Sequence, residues 1–545
     1  MSTKRIACCV LLIAVALAAC APAATPAPVY EENQEYQAEP ASAAPASAPA
    51  SAPAADSYAP MPTQAAANAA PPYVAPSVGG VQPPNGQSAG DMFFQNYGVN
   101  PSIDTEDDHL STFALDVDTG AYTVARRYVN DGSLPPKDAV RVEEFVNYFE
   151  QGYPNPPAHQ AFGINIDGAS TPFGQTGRYQ MMRVGIQGYA VPPEMRKDVS
   201  LTFVIDVSGS MDIENRLGLV KRSLELLVEQ LGPHDQVAIV VFGTTAHLVL
   251  EPTSGAQKRT ILDAIRSLRA EGVTNAADGL RLGYQTASRA YNSEAVNRVI
   301  LCSDGVANVG ETGAGSIWES IEKYAKEGGI TLATIGFGMG NYNDVLMEQL
   351  ADHGDGFYAY VDTIAEARRL FVQNLTGTLQ VIAKDAKVQV DFNPEVVARY
   401  RLVGYENRAV ADNQFRDNSV DAGEIGAGHS ATALYEIKLQ PEASGRIATV
   451  YLRWQDPDTQ QVVELSRDFD TSRMEASFQD AAPRFQWTVI VAEYAEILRQ
   501  SYWAQGHSAG DVLVEARRVS DLLPEDEDVS QFVDLVRRAN QLADW

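Results

Sequence analysis

Apolar runs and amphipathic segments alternate between residues 199 and 375. Ser200–Ile205 is a mainly apolar run that predicts a buried strand, and Leu217–Leu231 carries leucines and valines at helical spacing. Further strands are predicted at 236–242, 247–250, 298–302, 331–337 and 357–361, and further helices at 256–270, 277–291, 316–327, 343–352 and 364–375. Because apolar strands separated by helices form mainly parallel sheets covered on both faces, a doubly wound, Rossmann-like α/β domain is expected at 198–378, with an antiparallel hairpin at 236–250.

The flanks of this domain show other patterns. Before it, one strand at 112–118 and helices at 121–130 and 140–149 predict a small α+β unit over 91–197. After it, alternating strands such as 387–392, 431–437 and 448–454 predict a β-rich module, a sandwich in our interpretation. Residues 485–542 read as a terminal helical pair, so the C-terminal region is 379–545 and the whole chain is multidomain α/β.

The N-terminus has the pattern of a secretory signal. Lys4 and Arg5 precede an apolar run, and Ala18 and Ala19 precede Cys20. The sequence Leu17–Cys20 resembles the lipobox of bacterial lipoproteins, in which the preceding peptide is removed and the cysteine is acylated. That resemblance implies a signal at 1–19, lipidation of Cys20 and, because Ala21 follows, an outer-membrane location. The alternative is an ordinary signal with an incidental cysteine.

Residues 20–90 are rich in Ala, Pro and Ser. Such a stretch buries too little apolar surface to offset its ordering entropy, so a disordered tether is expected. The formal net charge of the chain is −29, which disfavours nucleic acid as a partner. Once the signal and Cys20 are set aside, Cys302 is the cysteine that remains, and its apolar surroundings predict a buried, unreactive thiol.

The candidate chemistry lies where predicted strands end. Asp206, Ser208 and Ser210 follow the first strand of the α/β domain, Thr274 precedes a helix, and Asp304 follows the strand at 298–302. In an open parallel sheet, ligands bind beyond the carboxyl ends of the strands. The five side chains offer oxygen atoms, which suit Mg²⁺ best, with Mn²⁺ or Ca²⁺ as alternatives.

These separated elements resemble the von Willebrand factor type A domain and its metal-ion-dependent adhesion site. The resemblance implies that the two serines and Thr274 contact the metal, that Asp206 and Asp304 act directly or through water, and that an acidic group of a partner completes the shell. Other segments resemble a bacterial lipoprotein family with dedicated regions on both sides of the A domain, namely Thr112–Thr119, Leu134–Pro136, Arg141–Glu144, Arg401–Arg408 and Asp421–Gly428.

Three other patterns favour structural interpretations. Gly506–Gly510 fits a nucleophile motif, but it lies between two helices and is predicted to be a turn. Asp116–Gly120 and Asp417–Asp421 could open calcium loops, yet both lack the complete ligand series, so solvated acidic turns are expected. The histidines form no zinc-type spacing.

The sequence therefore favours a non-enzymatic, Mg²⁺-dependent binding module whose ligand is a protein or envelope component that offers an acidic oxygen. Membrane contact is expected through the lipid anchor, on either face of the outer membrane. Two alternatives stay open. One is metal-assisted hydrolysis at Asp206 and Asp304, and the other is an envelope scaffold with an idle metal site.

Overall fold

A computed structural model describes residues 94–174, 179–213, 216–272, 274–305, 321, 323–325, 328–339 and 342–542. The predicted signal, Cys20 and the tether lie outside the described residues, as does most of the predicted helix at 316–327. Among the described helices, none combines the length and the apolar character needed to cross a membrane.

The N-terminal flank contains more strands than its pattern predicted. Its elements are β1 (Ile103–Asp104), β2 (Leu110–Ala114), α1 (Gly120–Asn130), α2 (Val142–Tyr148), β3 (Phe162–Ser170) and β4 (Tyr179–Gly188). The strands β3 and β4 were not predicted, although Phe162, Ile164 and Ile166 of β3 and Met182, Val184 and Ile186 of β4 are buried at alternating positions. A glycine of β4 has a packing role, since a Cβ atom on Gly185 would overlap the ring of Tyr153.

The central region is the predicted doubly wound domain. Its strands are β5 (Val199–Asp206), β6 (Gln236–Phe242), β7 (Ala246–Ser254), β8 (Val296–Ser303), β9 (Ile330–Phe337) and β10 (Tyr358–Val361), in the sheet order β10-β9-β8-β5-β6-β7. All neighbours pair in parallel except β6 and β7, which form the expected antiparallel hairpin. The apolar character of β5 is explained by its position, since every one of its residues is buried.

Helices cover both faces of this sheet. They are α3 (Leu217–Gln230), α4 (Lys258–Ser267), α5 (Ala276–Arg289), α6 (Asp344–His353), α7 (Ile364–Arg368) and α8 (Leu375–Leu379), with a π-helical segment at Arg369–Gln373 between the last two. One apolar core lies beneath α3 and α4, and a second lies beneath α5 and α6. Cys302 is buried in the first core as a free thiol, which confirms the predicted burial, and burial raises its pKa because it disfavours the thiolate.

A glycine sets the distance between α5 and the sheet. A Cβ atom on Gly283 would overlap Cγ2 of Val204, whereas the nearest atom to a Cβ on Gly218, in α3, would be Nη1 of Arg222 at 3.8 Å. We expect Gly283→Ala to lower the free energy of unfolding by about 1–3 kcal/mol through overpacking. Gly218→Ala should instead be neutral or stabilise by up to about 1 kcal/mol. Urea unfolding of both variants measures the difference, and equal effects would contradict the packing argument.

The C-terminal flank completes a sandwich that the N-terminal flank begins. Its strands are β11 (Val381–Phe392), β12 (Val397–Val403), β13 (Gly423–Gly426), β14 (Ser430–Leu439), β15 (Arg446–Gln455), β16 (Val462–Asp470) and β17 (Met474–Glu475). One sheet has the order β1-β12-β14-β4-β3-β17, and the other has the order β13-β11-β15-β16 with β2 paired to β11. Both sheets therefore contain strands from both flanks, and the doubly wound domain is inserted between β4 and β11.

A helical layer also joins the two flanks. The C-terminal flank closes with three described helices, α9 (Pro483–Leu498), α10 (Ala509–Ser520) and α11 (Glu527–Leu542). The prediction of two helices in this segment was therefore wrong. The extra helix arises because the turn at Asp521–Asp526 divides what the sequence pattern treated as one helical stretch. These helices share an apolar core with α1 and α2, in which the ring of Phe532 lies against those of Tyr122, Phe149 and Trp487.

Buried ion pairs fasten the doubly wound domain to the flanks. Arg141, directly before α2, donates to Glu144 and, at 2.6 Å, to Asp344 at the start of α6. Nη1 of Arg141 also lies 3.7 Å from Oε2 of Glu348. We call Arg141, Glu144, Asp344 and Glu348 the α6 clamp.

One predicted acidic turn forms part of the same interface. Asp116 and Asp118 are only 4% and 6% exposed, so the prediction of a solvated turn was wrong for this segment. The physical reason is Arg408, whose guanidinium lies 3.3 Å from Asp116 and 3.6 Å from Asp118 and compensates their charge. The second predicted turn is confirmed, because Asp417 and Asp421 are exposed.

Candidate metal centre

The first predicted site residues lie at the carboxyl end of β5. Asp206 is the last residue of this strand and is fully buried. Its Oδ1 accepts the backbone N–H of Ser208 at 2.8 Å, and its Oδ2 accepts the hydroxyl of Ser303 at 2.8 Å. These two bonds fix the carboxylate at the edge where β5 and β8 end side by side.

Hydrogen bonds join the remaining oxygens of the motif to one another. The Oγ atoms of Ser208 and Ser210 lie 3.0 Å apart. The N–H of Ser208 also donates to Asp206, and Arg216 donates both to the carbonyl of Ser210 and to Asp304. The structure therefore brings four of the five predicted residues into one continuous series, which runs Asp206, Ser208, Ser210 and, through Arg216, Asp304.

Thr274 reaches the same edge through the backbone of its loop. The N–H of Gly209 donates to the carbonyl of Gly272 at 3.0 Å, and the N–H of Glu271 donates to the carbonyl of Val207 at 2.5 Å. Thr274 follows two residues after Gly272 and is half-buried, directly before Asn275, the residue that caps α5. The loop that carries Thr274 is thus bonded to the loop that carries the two serines.

Burial makes the two carboxyl groups weaker acids than usual. It raises the pKa of Asp206 to about 6, with a smaller contribution from the charge of Asp304, while hydrogen bonds from Ser208 and Ser303 oppose the shift. Burial also raises the pKa of Asp304, and the nearby Arg216 opposes that shift. A cation between these acids would compensate the charge that burial penalises.

The donor set fits a small divalent cation. Mg²⁺ binds six oxygens at about 2.1 Å in octahedral geometry, so neighbouring ligand atoms lie about 3.0 Å apart. The separation of the two serine Oγ atoms is 3.0 Å. Two carboxylates and hydroxyl oxygens are also the ligand types that Mg²⁺ and Mn²⁺ prefer over softer atoms.

Two neighbours of the site were not predicted from the sequence. Ser303 positions Asp206, and Arg216 contacts Asp304 as well as the carbonyl of Ser210 at 2.8 Å. Ser303 directly precedes a predicted site residue, which is a weak signal. Arg216 carries no such signal, since the helical pattern marks it merely as the residue before α3.

A second acidic group lies in the sandwich. Carboxylate oxygens of Asp385, Asp421 and Glu424 all fall within 4.8 Å of one another. Burial raises the pKa of Asp385, and the charge of Asp421 adds to the shift. Exposed acidic groups of this kind are common without an ion, and this group is separate from the five predicted residues.

The Gly506–Gly510 segment is a turn between α9 and α10, as predicted. Ser508 caps α10, where its hydroxyl donates to Oδ2 of Asp511 at 2.7 Å. His507 bonds instead to Glu493, with 3.0 Å between Nδ1 and Oε1. Because the serine hydroxyl is engaged in capping and the neighbouring histidine in another pair, the segment does not resemble an activated nucleophile.

Comparison with protein families matches three parts of the chain. A family described as von Willebrand factor type A domain matches residues 200–375, and one described as uncharacterized protein YfbK, C-terminal, matches residues 377–542. A third, described as von Willebrand factor, matches residues 88–183. Type A domains typically mediate protein interactions.

Two individual relatives are similar to parts of the chain. The uncharacterized protein YfbK of Escherichia coli (strain K12) is 40% identical over 353 residues, which are 64% of this chain and 61% of YfbK. The chain thus spans less than two thirds of that relative. The human inter-alpha-trypsin inhibitor heavy chain H3 is 31% identical over 192 residues, or 33% of this chain and 20% of that protein.

A solved structure, von Willebrand factor type A from Catenulispora acidiphila, is 15% identical, with a TM-score of 0.41 over 71% of this chain and 91% of that chain. The family matches align with the architecture, since residues 200–375 coincide with the doubly wound domain and residues 377–542 begin close to β11. The chain therefore contains a von Willebrand factor type A domain followed by a YfbK-type C-terminal region, and it is homologous to YfbK.

Proposed function

We propose that this protein is a non-enzymatic binding module whose A domain captures a partner through a divalent metal ion. The observation that carries the proposal is the pair of serine Oγ atoms 3.0 Å apart, set between the buried carboxylates of Asp206 and Asp304. That spacing matches adjacent ligands of Mg²⁺. The usual role of type A domains in protein interactions supports the same function.

The residues that would hold the ion are those predicted from the sequence: Asp206, Ser208, Ser210, Thr274 and Asp304. Mg²⁺ is the proposed ion, with Mn²⁺ or Ca²⁺ as alternatives. When bound, the ion supplies a positive centre that accepts an acidic oxygen of the partner. The side chains around it hold the site in shape, because Ser303 fixes Asp206 and Arg216 joins Asp304 to the carbonyl of Ser210.

An exposed apolar side chain that follows the motif in sequence suits a protein ligand. Ile213, three residues after Ser210, is 54% exposed. An exposed aliphatic side chain next to a polar centre can contribute buried apolar area when a partner binds, while the acidic oxygen provides orientation. We therefore propose a protein or envelope component with a carboxylate on an otherwise apolar surface as the ligand.

The proposed location follows from the N-terminal sequence. Acylation of Cys20 would anchor the chain to the outer membrane, and residues 20–90 would separate the anchor from the A domain. A flexible tether of about 70 residues spans roughly 45 Å on average. The A domain would then search a volume close to the membrane surface for its ligand.

Capture of envelope proteins on the immobilised full chain tests this function. We expect a retained partner in Mg²⁺ that is lost in EDTA and lost again with Asp206→Ala, because both changes remove the metal-bridged contact. Asp263→Ala, which removes an exposed carboxylate from α4 of the same domain, is the matched control and should retain the partner.

The other outcomes separate the alternatives. Retention that is indifferent to EDTA and to Asp206→Ala would reject metal-bridged binding and point to the flanks or to a scaffold role. A retained protein that is cleaved or modified in Mg²⁺, and left intact by Asp206→Ala, would favour metal-assisted hydrolysis.

A further inference from the structure

Arg216 reaches the candidate metal centre from the start of α3. Its side chain is 8% exposed, and Nη1 contacts Oδ2 of Asp304 and donates to the carbonyl of Ser210 at 2.8 Å. Nη2 donates to the carbonyl of Met339, in the loop that follows β9. One arginine therefore bonds to a predicted metal ligand, to the backbone of another, and to a third loop at the same edge of the sheet.

The path of this side chain depends on a glycine. Gly338 has a φ of +85°, and a Cβ atom there would overlap Cγ of Arg216. The carbonyl of Gly338 is held by the hydroxyl of Tyr360 at 2.9 Å. A residue with a side chain at position 338 would thus block Arg216, and the positive φ of Gly338 also favours glycine there.

The formal charges of Asp206, Asp304 and Arg216 determine the net charge that a bound divalent ion would leave at this site. Asp206 and Asp304 together carry two negative charges, which would formally neutralise a divalent ion. Arg216 compensates one of them through Asp304. With the arginine present, a bound divalent ion leaves a formal net charge of +1, and that excess attracts an anionic oxygen.

We propose that Arg216 is a positioning residue that shares the charge of Asp304, so that the bound metal holds its protein ligands less tightly and an acidic ligand more tightly. The inference rests on the proposed function, because it requires a divalent ion at this site. It adds a physical basis for the acidic ligand of that function: the excess positive charge favours a carboxylate or another anionic oxygen over a neutral carbonyl or hydroxyl.

The test compares the full chain with Arg216→Gln, Arg216→Lys and Arg222→Gln. Free Mn²⁺ is measured by electron paramagnetic resonance, and acetate binding to the Mn²⁺-loaded protein is followed by the proton relaxation of metal-bound water. We expect Arg216→Gln to tighten Mn²⁺ binding by about tenfold and to weaken acetate binding by about tenfold, since one unit of positive charge is removed beside the site. Circular dichroism establishes that each variant is folded.

The remaining variants separate charge from shape. Arg216→Lys keeps the positive charge and should behave within about threefold of the wild type. Arg222→Gln removes a charge from an exposed position of the same helix and should change neither affinity, because solvent screens it.

Three results would overturn the inference. They are unchanged affinities in Arg216→Gln, a parallel loss of Mn²⁺ and acetate binding in that variant, and a failure of lysine to restore the wild-type behaviour. A wild-type chain that binds no Mn²⁺ would instead reject the proposed function itself, so the two failures are distinguishable.

Discussion

Arg141→Ala is expected to lower the free energy of unfolding by about 3–5 kcal/mol, because it removes the cation that pairs with the buried carboxylates of Glu144 and Asp344. The side chain of Arg141 is 5% exposed, and its guanidinium contacts Glu144, Asp344 and Glu348. Two of these residues belong to α6 of the A domain, whereas Arg141 and Glu144 belong to the N-terminal flank. The loss should therefore appear in the cooperative unfolding of the whole folded unit.

The expected loss of unfolding free energy in Arg141→Ala depends on pH. Burial raises the pKa of Glu144 to about 8 and that of Glu348 to about 7, and the charge of Arg141 opposes both shifts. A carboxyl whose pKa is raised by folding opposes folding as the pH rises towards that pKa. Removing Arg141 raises both values further, so the deficit of the variant should be larger at pH 8 than at pH 5.

Urea unfolding of the full chain at both pH values measures this prediction. Arg266→Ala is the matched control, because Arg266 pairs with Glu225 on the surface of the A domain and its side chain is 61% exposed. Such a pair contributes about 0–1 kcal/mol. Equal losses in the two variants, or a deficit that shrinks from pH 5 to pH 8, would contradict the role assigned to the α6 clamp.

The doubly wound domain could be predicted because its signals are local. The strand predicted at 236–242 has the bounds Gln236–Phe242 in the structure, and the helix predicted at 217–231 ends one residue earlier. In such a domain the central strands are buried on both faces and each helix on one, so the local pattern of apolar residues is sufficient. The same rule placed Asp206 and Asp304 at one edge of the sheet before their contacts were known.

The shared sheets of the two flanks could not be predicted, because they depend on strand pairs and side-chain contacts between residues far apart in sequence. In β2, Phe113 pairs with Val388 of β11, and the hydroxyl of Thr112 accepts a hydrogen bond from Gln389 at 2.8 Å. Alternation shows that a strand has a buried face but does not show which strand lies beside it. The burial of Asp116 was missed for the same reason, since its partner Arg408 lies 292 residues away.

At the candidate site, the sequence pattern predicted the oxygen ligands but not the positively charged side chain of Arg216 beside them. The motif residues follow strands and are recognisable by type and position. Arg216 differs, because its approach to Asp304 depends on the backbone conformation of Gly338 and on the carbonyl of Met339. Neither condition leaves a pattern in the sequence, so a structure was needed to find it.

A loss of metal affinity is the second large effect that we expect. Asp206→Asn keeps the size of the side chain and removes its charge, and it should weaken Mg²⁺ binding at least about a hundredfold, because a buried carboxylate is a principal attraction for the ion. The amide can still accept the N–H of Ser208, so the motif loop should stay in place. Asp263→Asn, at an exposed position of α4, should leave the affinity unchanged.

Calorimetric titration of Mg²⁺ into the full chain therefore tests the central claim most directly. The claim predicts saturable binding of one ion by the wild type and by Asp263→Asn, and loss of that binding in Asp206→Asn with the fold intact. Absence of binding in the wild type, or the same affinity in Asp206→Asn, would contradict a metal site at the end of β5.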